Sequence, residues 1–348
     1  MTWKFQPALN NFEAHRQRWD ELNAMRGRHV LLDSTFVACL LKHFGNENVL
    51  LGIREHESAA MALVEKKSAG VWETFQPSQA PLGLILCAAA EDSTEALVSL
   101  LRSLPGYALQ LSVLHQDPDF SAFPTAKDNG FIEKLDYIRT ATIPVKGTFD
   151  EYWQTREPGL RKNNNRLRRR MSEKGLHPDF IAIRRSPEVA EAICEYGRLE
   201  SKGWKAVEGT AVTFENKQGH FYRELLESYC ARGEGAVFQL RVNGEVIASD
   251  ICLVRRGMLV LLKTAYDEDW SVFSPAFLLR EDIVRLLYAE GKVKAYEFYG
   301  PLMNYQLRWT NQVRTLFHLT CYRHEWLRAL KGFANHLRGS RRFPQPRL

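Results

Sequence analysis

Three consecutive runs of the C-terminal half are rich in apolar residues and are separated by turn signals, which predicts a meander of β-strands. The runs cover residues 236–242, 245–254 and 258–266. Asn243-Gly244, the strongest short hairpin signal, joins the first two runs, and Arg256-Gly257 joins the last two. The pattern therefore predicts three neighbouring strands connected by tight turns.

After the third run, the spacing of the hydrophobic residues changes from that of a strand to that of a helix. Residues 275–290 place Leu279, Ile283, Leu286 and Leu287 on one stripe, which is the spacing of a helix that buries one face. Gly291 is expected to end this helix. Other helices are predicted at 186–202, 219–231 and 325–337, and other strands at 296–299 and 315–322.

The N-terminal half repeats this order of elements with negligible sequence identity. A helix, several strands, a second helix and a last strand are predicted at 34–44, 49–54, 59–65, 71–75, 81–88, 93–104 and 107–114. The predicted fold class is therefore α/β, with mixed α+β sheets in two related domains at residues 1–145 and 146–348. One large mixed sheet is the alternative.

Composition places the chain among ordinary globular proteins. Of its 348 residues, 45% are hydrophobic and 25% are charged, which excludes disordered and fibrous classes. The six cysteines are scattered, as is typical of reduced thiols in a cytoplasmic protein. No apolar run has the length of a signal peptide core or of a membrane span, so a cytoplasmic location is expected. The net charge of +6 suits an anionic ligand such as CoA or a nucleic acid.

A strongly basic segment, residues 156–175, separates the two halves. Its cations are Arg161, Lys162, Arg166, Arg168, Arg169, Arg170 and Lys174. We interpret it as a helix at the entrance of the C-terminal domain, which either binds an anion or is a solvated linker. Aromatic residues do not interleave with these charges, which argues against a platform for single-stranded nucleic acid.

The candidate chemistry lies where the third strand gives way to the helix, at residues 262–279. Ser274 is the expected N-cap of that helix, and Pro275 is its expected first residue. A helix start presents free backbone N–H groups and the positive end of the helix dipole, so it can bind a diphosphate. A thioester beside the strand, with CoA phosphates on the helix start, would fit this order of elements.

Motifs along most of the chain, from about residue 30 to 325, carry a resemblance to a known family. The motifs are QAPLGLIL at 79–86, LRKNNNRLRRRMSEKG at 160–175, GWKAVEGTA at 203–211, HFYREL at 220–225, VIASDICLV at 246–254, LKTAYDEDWSVFSPAFLL at 262–279 and FYGPLMNYQLRW at 298–309. The chain resembles the CelD/BcsL-type acetyltransferases, GNAT-superfamily proteins often associated with bacterial exopolysaccharide or cellulose synthesis. The FemAB aminoacyltransferases are related and also use two GNAT-like halves.

The resemblance implies tandem GNAT-like domains, with the acyl-CoA site in the C-terminal one and a non-catalytic N-terminal one. It implies direct acyl transfer from acetyl-CoA or another acyl-CoA to an amine or hydroxyl of a small molecule or saccharide. The backbone of Thr264, Ala265 and Tyr266 is expected to pair with pantetheine and to contact the oxyanion. The diphosphate is expected at Phe273, Ser274, Pro275, Ala276, Phe277 and Leu278.

Acyl transfer also needs a base for the acceptor and an acid for the departing thiolate. Asp250 is the predicted base because it interrupts an apolar strand, where an acid is either functional or satisfied within the fold. Glu200 and Glu297 are the alternatives. Tyr305 is the predicted acid in preference to Tyr299, and the alternative for both tyrosines is a place in the core.

The acceptor is expected to contact Trp204, Lys205, Glu200, Arg308 and Trp309. Lys205 would suit an acidic or phosphorylated acceptor, whereas core packing is the alternative for Trp204, Arg308 and Trp309. No metal site is expected, because the ten histidines show no HxxxH or HxH spacing.

Two other functions remain compatible with these residues. A FemAB-like transferase would take an aminoacyl group from charged tRNA, with the basic segment contacting the RNA. A GNAT-like scaffold without catalysis would bind a nucleic acid or a partner in polysaccharide synthesis.

Overall fold

The structure is a computed structural model that describes residues 2–55, 59–88, 93–121, 123, 128–202 and 212–330. The strands in this part of the chain are β1 (Lys4–Pro7), β2 (Val49–Arg54), β3 (Ala60–Ser68), β4 (Val71–Thr74), β5 (Ile85–Cys87), β6 (Gln110–Gln116), β7 (Ile132–Pro144), β8 (Pro178–Ile183), β9 (Gly235–Val242), β10 (Glu245–Arg255), β11 (Met258–Tyr266), β12 (Ala295–Glu297) and β13 (Val313–Tyr322). The α-helices are α1 (Ala8–Asn11), α2 (Arg16–Met25), α3 (Ser34–Phe44), α4 (Ser93–Ser103), α5 (Phe149–Gln154), α6 (Pro158–Glu173), α7 (Val189–Lys202), α8 (Lys217–Cys230), α9 (Pro275–Glu290) and α10 (Asn304–Leu307).

These residues form two compact units, and neither unit is one continuous stretch of chain. The first unit draws on Met1–Gly27, Gly45–Tyr137 and Leu316–Leu348, and the second on Arg28–Phe44 and Ile138–Thr315. The chain passes from the first unit to the second between Tyr137 and Ile138, close to the predicted boundary between residues 145 and 146. The division into two continuous domains stays a prediction.

The first unit is built on a mixed sheet with the strand order β1-β2-β3-β4-β6-β13. The strands from β1 to β4 are antiparallel, β6 lies parallel to β4, and β13 lies antiparallel to β6. Strand β5 pairs with β3 outside this path. Helix α4 contributes Leu97, Leu100 and Leu101 to the core beneath this sheet, which buries its apolar stripe.

The second unit repeats this topology with the order β8-β9-β10-β11-β12-β7. The strands from β8 to β11 are antiparallel, β12 lies parallel to β11, and β7 lies antiparallel to β12. In the second unit α9 lies between β11 and the parallel strand β12, and in the first unit β5 and α4 lie between β4 and the parallel strand β6. The predicted α/β class with mixed sheets is confirmed.

The last strand named in each sheet is far in sequence from the strand with which it pairs. Residues Phe317–Tyr322 of β13 pair with β6 in the first unit. Residues 142–144 of β7 pair with β12 in the second unit. The hydrophobic pattern of a strand does not specify which sheet edge the strand joins, so these long-range pairings could not be predicted from the sequence.

Local sequence explains the elements that were predicted closely. Asn243-Gly244 and Arg256-Gly257 all adopt positive φ, from 48° to 84°, the conformation of the two-residue turns that match strand twist. Helix α9 begins at Pro275 and ends at Glu290. The next residue, Gly291, caps it with a φ of +64°. The helix expected at 325–337 is described only to residue 330 and is helical from 325 to that point.

The basic segment folds as helix α6, and its few apolar residues determine how it packs. Leu160, Asn164, Leu167 and Met171 are buried and lie on one stripe. Most of the cations consequently lie on the remaining surface, where Lys162, Arg166, Arg169 and Lys174 are exposed.

Helix α3 belongs to the second unit although it lies in the N-terminal part of the sequence. It packs on α8, and the buried Asp33 just before it fixes its start. The Asp33 carboxylate pairs with Arg255 and accepts a hydrogen bond of 2.9 Å from Tyr229 Oη, while Arg232 approaches to 3.5 Å. Burial alone would raise the pKa of Asp33, but the hydrogen bond and charge of Arg255, with Arg232 and Tyr229, hold that pKa below its usual value.

We expect Asp33→Asn to lower the free energy of unfolding by about 2–3 kcal/mol near pH 7, because Arg255 and Arg232 lose a buried carboxylate and share only Glu234. A carboxyl with a lowered pKa in the folded state stabilises the fold above its unfolded value and loses this contribution as the pH falls through its folded value. The difference between the variant and the wild type should therefore shrink below about pH 4. Denaturant titrations between pH 7 and pH 3 measure this, with the exposed Asp179→Asn as the control. A difference that stays constant over this range would contradict the role given to Asp33.

Candidate active site

A cleft opens in the second unit where β11 separates from β12. The two strands pair only over Met258–Val260 and Ala295–Glu297, and β11 then continues to Tyr266. Leu262 has no partner in the pairing with β10, and such a bulge bends a strand. The cavity between the diverging segments has a volume of about 670 Å³. The polar residues and the glycine on its walls are Glu200, Lys263, Thr264, Glu268, Gly300 and Gln306, with Tyr266 and Tyr305.

The structure brings some of the predicted site residues together here and leaves others elsewhere. Those on the cleft walls are Glu200, Thr264, Ala265, Tyr266 and Tyr305. Asp250, the helix start from Phe273 to Leu278, Arg308 and Trp309 do not line the cleft. Trp204 and Lys205 lie outside the described residues.

Neighbouring residues of β11 face opposite sides of the sheet, so each side of the cleft has its own set of side chains. Lys263 Nζ lies 4.0 Å from Glu200 Oε1 and so faces helix α7. Thr264 stands opposite Asp250 in the strand register, and Asp250 contacts Arg280 of helix α9. Within the described part of the chain, Thr264 Oγ1 is buried without a hydrogen-bond partner. The α7 side therefore offers an acid and a cation, whereas the Thr264 hydroxyl on the α9 side is buried.

Glu200 is held rigidly at the end of α7. Its Oε1 accepts a hydrogen bond of 2.8 Å from Tyr196 Oη, and its Oε2 accepts one of 2.7 Å from the Val212 N–H. Burial, and then the charge of Glu200, raise the pKa of Tyr196 well above its usual value, so this phenol stays a donor. These two hydrogen bonds fix the orientation of the Glu200 carboxylate at the cleft wall.

Asp250 forms a buried ion pair beneath the cleft. Its Oδ2 lies 3.3 Å from Arg280 Nη2 and accepts a hydrogen bond of 3.3 Å from Tyr296 Oη. The side chains of Asp250 and Arg280 are only 1% and 3% exposed. Burial raises the pKa of Tyr296 well above its usual value, so Tyr296 remains a donor to this carboxylate. Of the two alternatives weighed for Asp250, this geometry favours a satisfied structural acid, and its role as the base stays a prediction.

Tyr305 and Tyr299 have different surroundings. Tyr305 lies on the cleft wall, with the Arg280 guanidinium 5.7 Å from its ring centre and Phe277 edge-on at 6.3 Å. Tyr299 is buried, has a φ of +45°, and places its Oη 2.7 Å from His29 Nε2. Tyr305 can therefore reach a ligand in the cleft, whereas Tyr299 fixes the turn after β12.

The start of α9 differs from the expected helix cap. Ser274 has a left-handed backbone, with φ +47° and ψ +57°, and its side chain makes no capping hydrogen bond within the described residues. Two aromatic residues, Phe273 and Phe277, lie at this helix start. Arg170 and Lys174 of the α6 end lie 5.7 Å and 5.6 Å from the centre of the Phe273 ring.

Arg308 and Trp309 have different surroundings, because Arg308 is half-buried and Trp309 belongs to the core. The Arg308 guanidinium lies 5.1 Å from the centre of the Phe277 ring. Trp309 is completely buried between Trp153 and Phe277, and its carbonyl accepts a hydrogen bond from Tyr152. The structure thus shows the packing alternative for Trp309, because a side chain with no exposed surface offers no contact to an acceptor.

Sequence comparison assigns the part of the chain that carries the cleft. Residues 158–307 match the family described as acetyltransferase (GNAT) domain. These residues include α6 to α10 and both strands that diverge at the cleft. Residues 158–307 form a GNAT-type acyltransferase domain. This match confirms the predicted class of enzyme. It does not distinguish the CelD/BcsL type from other GNAT acetyltransferases. No curated protein sequence matches the chain.

Solved structures with little sequence identity share the fold over nearly the whole chain. The C-terminal domain of a protein assigned as a lysylphosphatidylglycerol synthetase in Agrobacterium fabrum has a TM-score of 0.57 at 12% identity, over 92% of this chain and 95% of that one. FemX has a TM-score of 0.56 at 11% identity, over 90% and 98%. L-PGS from Bacillus licheniformis has a TM-score of 0.54 at 12% identity, over 93% and 97%. At these identities the likeness concerns the fold alone.

Sequence reasoning missed three residues of the GNAT domain that shape this site. Arg280 lies on a helix stripe between Leu279 and Ile283, and a cation on a buried stripe is a signal of an ion pair with an acid such as Asp250. Lys263 and Gly300 gave no comparable signal, because only the divergence of β11 and β12 places them on a cleft.

The GNAT domain and the rest of the described chain contain no group of three or more His, Cys, Asp or Glu side chains arranged to hold a metal ion. Over the same described residues, none of the helices combines the length and the apolar character needed to cross a bilayer.

We expect Asp250→Ala to destabilise the fold by about 3–5 kcal/mol, because it leaves the Arg280 charge buried without its partner. The double variant Asp250→Leu with Arg280→Met removes both charges, and it should recover most of this loss. Denaturant unfolding of the wild type and both variants measures the difference. A double variant that is as unstable as the single one would show that the two charges are not coupled.

Proposed function

We propose that residues 158–307 transfer an acyl group from acyl-CoA directly to an amine or hydroxyl of a small molecule or saccharide. The observation that carries this proposal is the free edge of β11. From residue 261 to Tyr266 this strand pairs with β10 on one side and, among the described residues, with no strand on the other. An extended pantetheine chain can take the place of the missing strand, because it carries amide groups that pair with backbone N–H and C=O.

The donor thioester would then lie beside Thr264, Ala265 and Tyr266. A backbone N–H on this free edge can stabilise the oxyanion that forms when the acceptor attacks the thioester carbon. These contacts support the predicted role of residues 264–266.

We place the acceptor on the α7 side, where Glu200 is the proposed proton acceptor. The acceptor nitrogen or oxygen forms a bond to the thioester carbon and gives its proton to the Glu200 carboxylate. Glu200 is better placed than Asp250, because Glu200 lies on the cleft wall and Asp250 is paired beneath it. The carbon–sulfur bond then breaks, and Tyr305 Oη gives a proton to the departing thiolate.

The finer parts of the proposal rest on the resemblance to CelD/BcsL-type proteins. They are the acetyl group as the acyl group, the connection to exopolysaccharide synthesis and the cytoplasmic location. The geometry of the cleft supports an acyl donor with a narrow extended arm, and it carries no argument about these finer points.

Filling the cleft should abolish donor binding without harming the fold. A Cβ on Gly300 would meet nothing closer than 3.8 Å, so Gly300→Leu has room to extend into the cleft. Acetyl-CoA at 100 times its dissociation constant should stabilise the wild type by about 2.7 kcal/mol, and the variant should show no such gain. Thermal unfolding with and without acetyl-CoA measures this. Gly159→Leu is the matched control, because a Cβ at Gly159 also meets open space. No stabilisation of the wild type would refute the proposed donor.

Neutralising the proposed base should slow transfer without weakening the donor complex. We expect Glu200→Gln to lower the turnover number by about 100-fold or more, because a positioned base contributes that much. The dissociation constant of acetyl-CoA should not change. CoA release in the presence of a panel of amines and alcohols measures turnover, and the exposed Glu191→Gln on the same helix is the control. If Glu200→Gln keeps full turnover and a folded Asp250→Asn loses it, Asp250 is the base.

A second candidate is a transferase that takes an aminoacyl group from tRNA. The observation in its favour is the density of cations on and just after α6, where Lys162, Arg166 and Lys174 are exposed. Charged tRNA would bind with a steep dependence on salt, whereas acetyl-CoA would then give no stabilisation. The Gly300 experiment therefore separates the two donors when charged tRNA is added as a third ligand.

A further inference from the structure

We propose that the phosphate groups of the donor are bound by three side-chain cations around the start of α9, and not chiefly by the backbone of that helix. The cations are Arg170, Lys174 and Arg308. This inference rests on the proposed function, because it concerns how the acyl-CoA of that proposal is held.

The first observation is that the helix start has few backbone donors to offer. Ser274 N–H donates to Ser271 at 2.9 Å, and Pro275 has no N–H. Phe277 and Leu278 both donate to the Ser274 carbonyl, at 2.9 Å and 3.4 Å. Of the first residues of α9, only Ala276 keeps an N–H without such a bond in the described structure. A single N–H cannot satisfy the oxygens of a diphosphate, so other donors must supply the remaining hydrogen bonds.

The second observation is that aromatic rings hold cations at this helix start. Phe273, just before Ser274, carries Arg170 and Lys174 within 5.7 Å of its ring centre. Phe277, in the first turn of α9, carries Arg308 at 5.1 Å. Distances below about 6 Å allow cation–π attraction, which orients a cation and leaves its N–H groups available to a ligand.

The third observation separates these cations from others in the same region. Arg168 pairs with Asp282 at 2.7 Å, and Arg169 pairs with Glu173 at 3.4 Å. By contrast, Arg170, Lys174 and Arg308 have no carboxylate partner among the residues that the structure describes. Unneutralised cations gathered at the positive end of a helix repel one another, and an anion relieves that repulsion.

The chemistry of the cluster fits the phosphates of CoA. Each arginine can donate two parallel hydrogen bonds to phosphate oxygens, and the lysine contributes a compact positive charge. The diphosphate and the 3′-phosphate of CoA together need several such donors. Pantetheine, which carries no phosphate, would bind in the cleft without using the cluster.

Binding of CoA and of pantetheine to matched double variants tests the inference. Arg170→Gln with Lys174→Gln removes two of the three cations. Lys162→Gln with Arg166→Gln removes the same charge from the same helix, but neither residue contacts Phe273. Calorimetric titration gives the dissociation constants, at low and at high salt. Lys174→Gln alone, at an exposed position, is the milder variant if the first double variant is unstable.

We expect the first double variant to raise the dissociation constant of CoA by about 10-fold or more, because charge-assisted hydrogen bonds are lost. The dissociation constant of pantetheine should stay the same, and the second double variant should bind CoA like the wild type. The salt dependence of CoA binding should weaken in the first double variant. Arg308→Gln, added to it, should weaken CoA binding further.

Two results overturn the inference while leaving the proposed function intact. In one, the first double variant binds CoA as tightly as the wild type. In the other, it loses affinity for pantetheine and CoA alike, which would indicate a damaged cleft. A wild type that binds no CoA and no acyl-CoA would instead refute the proposed function, and this inference with it.

Discussion

The functional half of this protein depends on one constraint, which is that β11 pairs with β12 over only three residues. The antiparallel meander holds β11 firmly on its β10 side, and the bulge at Leu262 bends it. On the other side, Tyr299 adopts a positive φ and bonds to His29, which turns the chain away after Phe298. A strand that is anchored on one edge and free on the other is what creates a cleft inside a sheet.

The same divergence separates the chemistry of the two faces. Because side chains alternate across a strand, Lys263 faces Glu200 while Thr264 faces the side of Arg280. One face of the strand therefore carries a carboxylate and an ammonium group, and the other face covers a buried ion pair. The buried Asp250–Arg280 pair supports the second face, and its own geometry is maintained by Tyr296 rather than by solvent.

Each unit is completed by chain segments that are distant in sequence. The second unit takes up residues 28–44, with Asp33 bound by Arg255, Arg232 and Tyr229, and its sheet ends on β7. The first unit ends on β13. The two sheets share one strand topology, and each is completed by a strand that is distant in sequence from its partner.

The sequence by itself determined the elements whose causes are local. The helix period and flanking Pro275 and Gly291 defined α9, the Asn-Gly and Arg-Gly turns defined the meander, and together they predicted the fold class. Only the tertiary structure decided which strands close each sheet, that Trp309 is a core residue, and that Glu200 rather than Asp250 reaches the cleft. The physical reason is that strand pairing and side-chain exposure depend on contacts between residues far apart in the chain, which a local pattern does not encode.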